Sequence, residues 1–95
     1  MSYMSADKCV EVVKNLSLPI RATSALTRWA YQYDKEFNEA LHRGNITEVS
    51  DLYRLRMEDL LRIRHFGHKS LKAWQSALND AGIVEPRSRH MVVEG

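Results

Sequence analysis

Four consecutive residues, Gly67, His68, Lys69 and Ser70, have the types and the order that can hold a phosphate group. A glycine at the start of a helix lets an anion approach the backbone, and the free N–H groups of the first helical turn point at it. The lysine adds a positive charge and the serine adds a hydroxyl donor. A packing corner between two helices, with the glycine present only for backbone freedom, is the alternative interpretation.

The sequence lacks the residues that a nucleotide-binding P-loop, a zinc site or a catalytic carboxylate pair would need. A P-loop requires a second glycine upstream and a preceding strand, whereas the glycine here follows a predicted helix. The four histidines and the single cysteine, Cys9, do not have zinc-site spacing, so His65 and His68 are interpreted as polar turn residues or extra phosphate donors. Glu58 and Asp59 are adjacent and do not face each other on a helix. We predict no enzymatic activity, no cofactor and no metal.

A second candidate site is a polar stripe on the helix that begins near Pro19. Arg21, Ser24 and Arg28 recur at helical spacing, beside the face that carries the apolar residues. Two long cations separated by a small hydroxyl can follow a nucleic-acid backbone or reach into a minor groove. A solvated helix face is the alternative interpretation of the same stripe.

The elements that position the first site are two short helices within residues 57–78. The spacing of Leu71, Trp74 and Leu78 places them on one face of the second helix. An apolar residue, a glycine and an immediate helix start, as at Phe66 and Gly67, are typical of a helix-hairpin-helix. We therefore predict a tight turn at residues 66–68 and a last helix over residues 69–80.

The remaining pattern predicts an all-α protein, a compact bundle of five or six short helices that ends in the helix-hairpin-helix. Ser5 is expected to cap the first helix. The apolar period after Pro19 fits either one long helix or two helices with a break near Tyr33 and Asp34, where Asp34 could cap the second helix. Gly44 is expected to be the C-terminal cap of that region, and Thr47 the cap of a short helix.

Aromatic residues are expected to pack in the core rather than to stack on bases. On a helical wheel, Trp29 and Tyr33 share the inward face of the helix that begins after Pro19. Tyr31, Phe37 and Trp74 also fall mostly on apolar faces.

Composition and charge limit the remaining possibilities. The chain of 95 residues is expected to form one domain over residues 1–84, followed by a flexible tail over residues 85–95. The formal net charge is +2, with five acids and two bases over residues 34–51 but six bases and two acids over residues 54–72. A single cysteine, no membrane-length apolar run and no signal pattern predict a reducing, cytoplasmic location.

Four blocks together resemble a known family. They lie at residues 16–26, 46–52, 58–63 and 66–71, and the last of them reads Phe-Gly-His-Lys-Ser-Leu. In this order they are similar to the C-terminal domain of the bacterial RNA polymerase α subunit. The resemblance implies a helical fold that binds the minor groove of A·T-rich promoter DNA and contacts activators and σ factor. It also implies a bacterial or phage origin and, if the protein binds DNA, association with the nucleoid.

The resemblance assigns roles residue by residue. Arg21 matches the family's arginine that enters the minor groove, and Gly67, Lys69 and Ser70 match its backbone-binding turn. Ser24 stands where the family usually has a DNA-contacting asparagine, and Ala73 where it has an acidic residue. Residues 27–43 are interpreted as an insertion, and the protein as a free-standing relative rather than an α subunit.

Three functions follow as hypotheses. The first is a small DNA-binding module related to transcription, in which Arg28, Arg64, His68 and Lys72 add phosphate contacts. The second is an adaptor that binds RNA polymerase or another transcription protein through acidic residues 34–39 and has no DNA affinity. The third is a repair-type helix-hairpin-helix without preference for A·T-rich sequence. The oligomeric state does not follow from the sequence.

Overall fold

In the computed structural model, residues 3–85 are described, and they form five α-helices and one short 3₁₀ helix. The α-helices are α1 (Ala6–Asn15), α2 (Ile20–Gln32), α3 (Asp34–Gly44), α4 (Met57–Leu61) and α5 (His68–Asp80). The 3₁₀ helix η1 (Val49–Arg54) connects α3 to α4. No strand occurs within residues 3–85, so the all-α prediction is confirmed. Residues 86–95, most of the predicted tail, lie outside the described part, and the domain boundary stays a prediction.

Helix α1 begins as its sequence predicts and packs against α2. The Ser5 Oγ accepts a hydrogen bond from the Lys8 N–H at 3.2 Å, which satisfies one of the free donors of the first turn. The Tyr31 hydroxyl donates to the Asp7 carboxylate at 2.7 Å and links the two helices at the surface. Helices α1 and α2 therefore pack directly against each other.

The long apolar period after Pro19 is divided into two helices at Tyr33. This residue has φ −119° and ψ 48°, outside the helical region, although neither proline nor glycine is present there. The bend brings the ring of Phe37 edge-on to the ring of Trp29, with centroids 5.2 Å apart. Aromatic packing between α2 and α3 therefore decides between the two alternatives that the period alone left open.

Tyr31 and Tyr33 are less buried than their spacing predicts. Their exposed fractions are 51% and 44%, because Tyr31 reaches outward to Asp7 and Tyr33 lies at the bend. The prediction of core packing is wrong for both, whereas it is confirmed for Trp29, Phe37 and Trp74, which are buried.

The corner after α3 depends on Asn45 rather than on Gly44. Asn45 has φ 54° and is the left-handed C-terminal cap, while Gly44 is the last residue of the helix. A Cβ at Gly44 would lie 2.9 Å from Ile46 Cδ1 and 3.0 Å from the carbonyl oxygen of Arg54. The prediction that Gly44 is the cap is wrong, because Gly44 is still helical and Asn45 is the cap. Close packing around Gly44 instead leaves little room for a side chain.

The short helix η1 begins one residue later than predicted, with Glu48 rather than Thr47 at its N-cap. The Asp51 carboxylate accepts hydrogen bonds from the backbone N–H groups of Thr47 and Glu48, at 3.2 and 3.1 Å. Burial opposes the ionisation of Asp51, but these donors outweigh it and lower the pKa of the carboxyl.

One hydrophobic core joins all six helices. Helix α2 contributes Leu26 and Trp29 to this core. The most enclosed large side chains come from the other five helices and from the corner after α3: Val13, Phe37, Leu41, Ile46, Leu52, Leu60 and Trp74. None of the helices in residues 3–85 combines the length and the apolar character that crossing a membrane requires.

Candidate nucleic-acid interface

The turn between α4 and α5 makes its sharpest reversal at His65. This residue has φ 66°, in the left-handed region that asparagine, aspartate and histidine enter more often than other side chains. The flanking apolar residues Ile63 and Phe66 are buried, and the Phe66 N–H donates to the Ile63 carbonyl at 3.0 Å. The turn is therefore anchored to the core, and the predicted tight turn at residues 66–68 is centred earlier, on His65.

Gly67 has no steric reason within this protein to be a glycine. Its φ of −99° is accessible to any residue, and a Cβ built on it meets no atom within 4 Å. Backbone freedom, the alternative explanation for this glycine, is thus not required by the geometry. The open space in front of Gly67 is available to a group from outside the protein.

The N-terminus of α5 lacks an internal acceptor. Gly67 provides no capping side chain, and the first turn contains no acidic residue. Because the first backbone N–H groups of a helix have no partner within it, those of His68, Lys69 and Ser70 are free donors. Gly67, His68 and Lys69 are exposed and Ser70 is half-buried. This end of α5 can hold an anion with backbone donors, a hydroxyl and a lysine.

The stripe on α2 is exposed along its whole length. Arg21, Ser24 and Arg28 all face solvent, and within residues 3–85 neither arginine forms an ion pair. Seven residues of helix separate the two arginines by about 10 Å. Helices α2 and α5 are in contact, and Arg28 and Arg64 line the same cleft.

That cleft has a volume of about 310 Å³ and lies between the α2–α3 bend and the residues that follow α4. Its lining combines both signs of charge with aromatic and aliphatic side chains: Ala25, Arg28, Trp29, Tyr33, Glu36, Glu39, Arg43, Asp59, Arg62, Ile63 and Arg64. The sequence pattern indicates the acidic residues of α3 and the arginines of the second half separately. It contains no sign that they meet at one cleft.

A paired arginine and aspartate, Arg43 and Asp59, are part of the lining of the cleft. Arg43 donates two hydrogen bonds to Asp59, at 2.7 Å from Nη2 to Oδ1 and at 3.2 Å from Nε to Oδ2. The bond to Asp59 raises the pKa of Arg43, and Asp59 is only 7% exposed. The pair joins α3 to α4 and thereby positions the α4–α5 turn. Sequence reasoning missed it, because a separation of 16 residues carries no local signal.

The cysteine and the histidines of the described residues lie in different surroundings. Burial raises the pKa of the Cys9 thiol to about 12, so this cysteine stays protonated and inert. Within residues 3–85 no three His, Cys, Asp or Glu side chains are placed to share a metal ion. His65 and His68 are both exposed beside the turn.

Comparison with known proteins gives one family. Residues 36–80 match the family model that describes the C-terminal domain of the alpha subunit of bacterial RNA polymerase. The match supports an α-CTD-like domain in this part of the chain. No curated protein and no solved structure matches the sequence. At the level of the family, the α-CTD-like segment is a transcription-related module of the DNA-binding type.

The match divides the predicted site residues into two groups. Gly67, His68, Lys69 and Ser70 lie within the matched residues, whereas the α2 stripe precedes them. The match also begins at Glu36, so most of α3 belongs to the matched residues, although the family resemblance placed residues 27–43 in an insertion. The assignment of Arg21 to the family's groove-binding arginine thus rests on residues outside the match.

Proposed function

We propose that this protein is a non-enzymatic DNA-binding module that acts in transcription. In this proposal the N-terminus of α5, from Gly67 to Ser70, holds a backbone phosphate. Arg21, with Ser24 and Arg28 beside it, enters the minor groove of an A·T-rich duplex, where the narrow groove concentrates negative potential.

The observation that carries the proposal is the open N-terminus of α5 within the family match. A glycine with nothing within 4 Å of its Cβ position precedes three backbone donors, a lysine and a serine. An acidic side chain in this turn would occupy the donors and repel a phosphate, and none is present. The same arrangement is found where helix ends bind phosphate groups in other proteins.

The test is a binding titration of the full-length protein on A·T-rich and G·C-rich duplexes at two salt concentrations. Arg21→Ala and Lys69→Ala are compared with Lys14→Ala, which removes an exposed lysine from the last turn of α1, on another helix. We expect both site variants to weaken binding to the A·T-rich duplex and the control to leave it close to that of the unmodified protein. Unchanged affinity in both site variants would exclude this mechanism.

The same titration separates the minor-groove mechanism from a repair-type helix-hairpin-helix. Phosphate contacts alone carry no sequence information, so a module that uses only the α5 end would bind both duplexes equally. A preference for A·T-rich DNA that disappears in Arg21→Ala is the expected result.

An adaptor without DNA affinity is the second candidate, and the acidic side chains of α3 favour it. Asp34, Glu36 and Glu39 are exposed, and the two glutamates line the cleft beside the basic turn, where they repel phosphate groups. The partner would be RNA polymerase or another transcription protein. Retention on heparin or DNA resin at moderate salt distinguishes the two candidates, since an adaptor passes through both resins.

A further inference from the structure

The cleft described above has two walls of opposite charge. Glu36 and Glu39 stand one helical turn apart on α3 and form what we call the acidic wall. Arg62 and Arg64, in the segment that follows α4, form the basic wall. All four side chains belong to exposed residues.

These four charges do not neutralise each other. Within residues 3–85, no residue of either wall takes part in an ion pair or a side-chain hydrogen bond, although the charge of Glu39 helps to raise the pKa of Arg43. Arg43, which also lines the cleft, makes two hydrogen bonds to Asp59. Together with Arg28, which also lines the cavity, the four residues of the walls make five exposed charges that are available to pair with an incoming group. Such charges at the edge of a binding surface select partners and accelerate their association.

Between the walls lies an apolar floor, which we define as Trp29, Tyr33 and Ile63. Trp29 and Ile63 are each 6% exposed, but Tyr33 is 44% exposed and presents its ring beside the acidic wall. A half-exposed aromatic ring next to two carboxylates favours the cationic end of a lysine or arginine. The cavity of about 310 Å³ accepts a few side chains and is at the lower limit for small-molecule pockets.

We propose that this cleft docks a segment of a partner protein with side chains of mixed charge. A basic side chain of the segment pairs with the acidic wall, an apolar side chain covers the floor, and an acidic side chain pairs with the basic wall. A nucleic acid does not fit this pattern, because its phosphates meet repulsion at the acidic wall. The inference is independent of DNA binding by the α5 end.

The probe is a random peptide library displayed on phage and selected on the immobilised full-length protein. We expect enriched sequences to combine a lysine or arginine, an apolar residue and an aspartate or glutamate. Synthetic peptides of the enriched type are then titrated against the Glu36→Gln/Glu39→Gln variant, with Glu11→Gln on α1 as the control. We expect affinity to fall about tenfold in the double variant and to persist in the control.

The second arm removes the basic wall with Arg62→Gln/Arg64→Gln and compares it with Arg56→Gln, an exposed arginine that does not line the cleft. Selection on this variant should lose the acidic residue of the enriched sequences and keep the basic one. Circular dichroism of each variant verifies the helical fold. We expect it to be retained, because the substituted residues are exposed and lie outside the core.

Three results would overturn the inference. They are no enriched sequence, enrichment of purely basic or purely acidic peptides, or equal peptide affinity of the unmodified protein and the Glu36→Gln/Glu39→Gln variant. A duplex titration of Glu36→Gln/Glu39→Gln keeps the two proposals apart. Removal of two acids leaves DNA affinity unchanged or raises it, so a loss of peptide binding with retained DNA binding is specific to the cleft.

Discussion

Two connections in this protein, the corner between α3 and η1 and the turn between α4 and α5, each contain a glycine and a residue with positive φ. They differ in whether their free backbone N–H groups have an acceptor within the protein. At the first corner, Asp51 accepts the free N–H groups and Gly44 is pressed against Ile46 and the backbone of Arg54. At the second, the N-terminus of α5 has no internal acceptor, and nothing approaches the Cβ position of Gly67.

The difference separates a glycine that the fold requires from one that a ligand would require. At Gly44 the neighbouring atoms belong to this protein, so the constraint is already satisfied in the isolated molecule. At Gly67 the space is empty and the nearby donors are free. A phosphate group of a bound ligand could occupy that space and accept hydrogen bonds from the donors.

Gly44→Ala tests the first half of the comparison and has the largest expected effect. The added Cβ would lie 3.0 Å from a backbone carbonyl that cannot rotate away, so we expect a loss of about 2 kcal/mol in the free energy of unfolding. Urea denaturation followed by circular dichroism measures it. A variant as stable as the unmodified protein would show that the corner relaxes freely.

Gly67→Ala is the matched substitution at the other turn. Alanine is a poorer N-cap than glycine, but it restricts the conformations of the unfolded chain. Because these effects oppose each other, we expect the free energy of unfolding to stay within about 0.5 kcal/mol of that of the unmodified protein. We expect affinity for the A·T-rich duplex to fall about tenfold, because the Cβ obstructs a charged hydrogen bond to the backbone. Unchanged affinity in a stable variant would contradict phosphate binding at this end.

Asp51→Ala sharpens the comparison by removing the internal acceptor at the first corner. We expect a loss of about 1 kcal/mol at neutral pH, typical of a helix N-terminal cap. Because folding lowers the pKa of Asp51, its contribution is complete above about pH 4 and disappears as the pH falls through the native pKa. The difference in the free energy of unfolding between the unmodified protein and Asp51→Ala should therefore shrink in acid. A difference that does not change with pH would show that the ionised carboxylate is not the source of the stabilisation.

Lys69→Ala gives the smallest change and tests the charge at the open turn. One lost phosphate contact lowers the slope of log affinity against log salt concentration by about 0.9. Duplex titrations at several salt concentrations measure the slope, with Lys14→Ala as the matched control. An identical slope in both variants would show that Lys69 does not contact a phosphate.

Much of the fold follows from local signals in the sequence. The all-α class, the Ser5 cap and the buried face of Leu71, Trp74 and Leu78 are confirmed because each depends on residues within a few positions of one another. Local reasoning assigns the two reversals to glycines, but Asn45 and His65 adopt the left-handed conformation. Glycine indicates unusual backbone or close packing, and a single sequence does not tell which.

The candidate site divides in the same way. The donors at residues 67–70 are contiguous, so their types and spacing were sufficient to recognise them. Arg43 pairs with Asp59, and α3 faces the residues after α4, only because the protein folds back on itself. The charge of a residue does not by itself predict which surfaces meet.

The sequence by itself therefore determined the helices, most of their ends and the identity of the candidate phosphate-binding residues, since short-range periodicity and capping produce these features. The tertiary structure alone decided that the helix after Pro19 bends at Tyr33, that Gly67 faces open space, and that acidic and basic walls share one cleft. The shared cleft depends on contacts between residues that are distant in the sequence, and the bend and the open space depend on how neighbouring elements pack, which local periodicity does not encode.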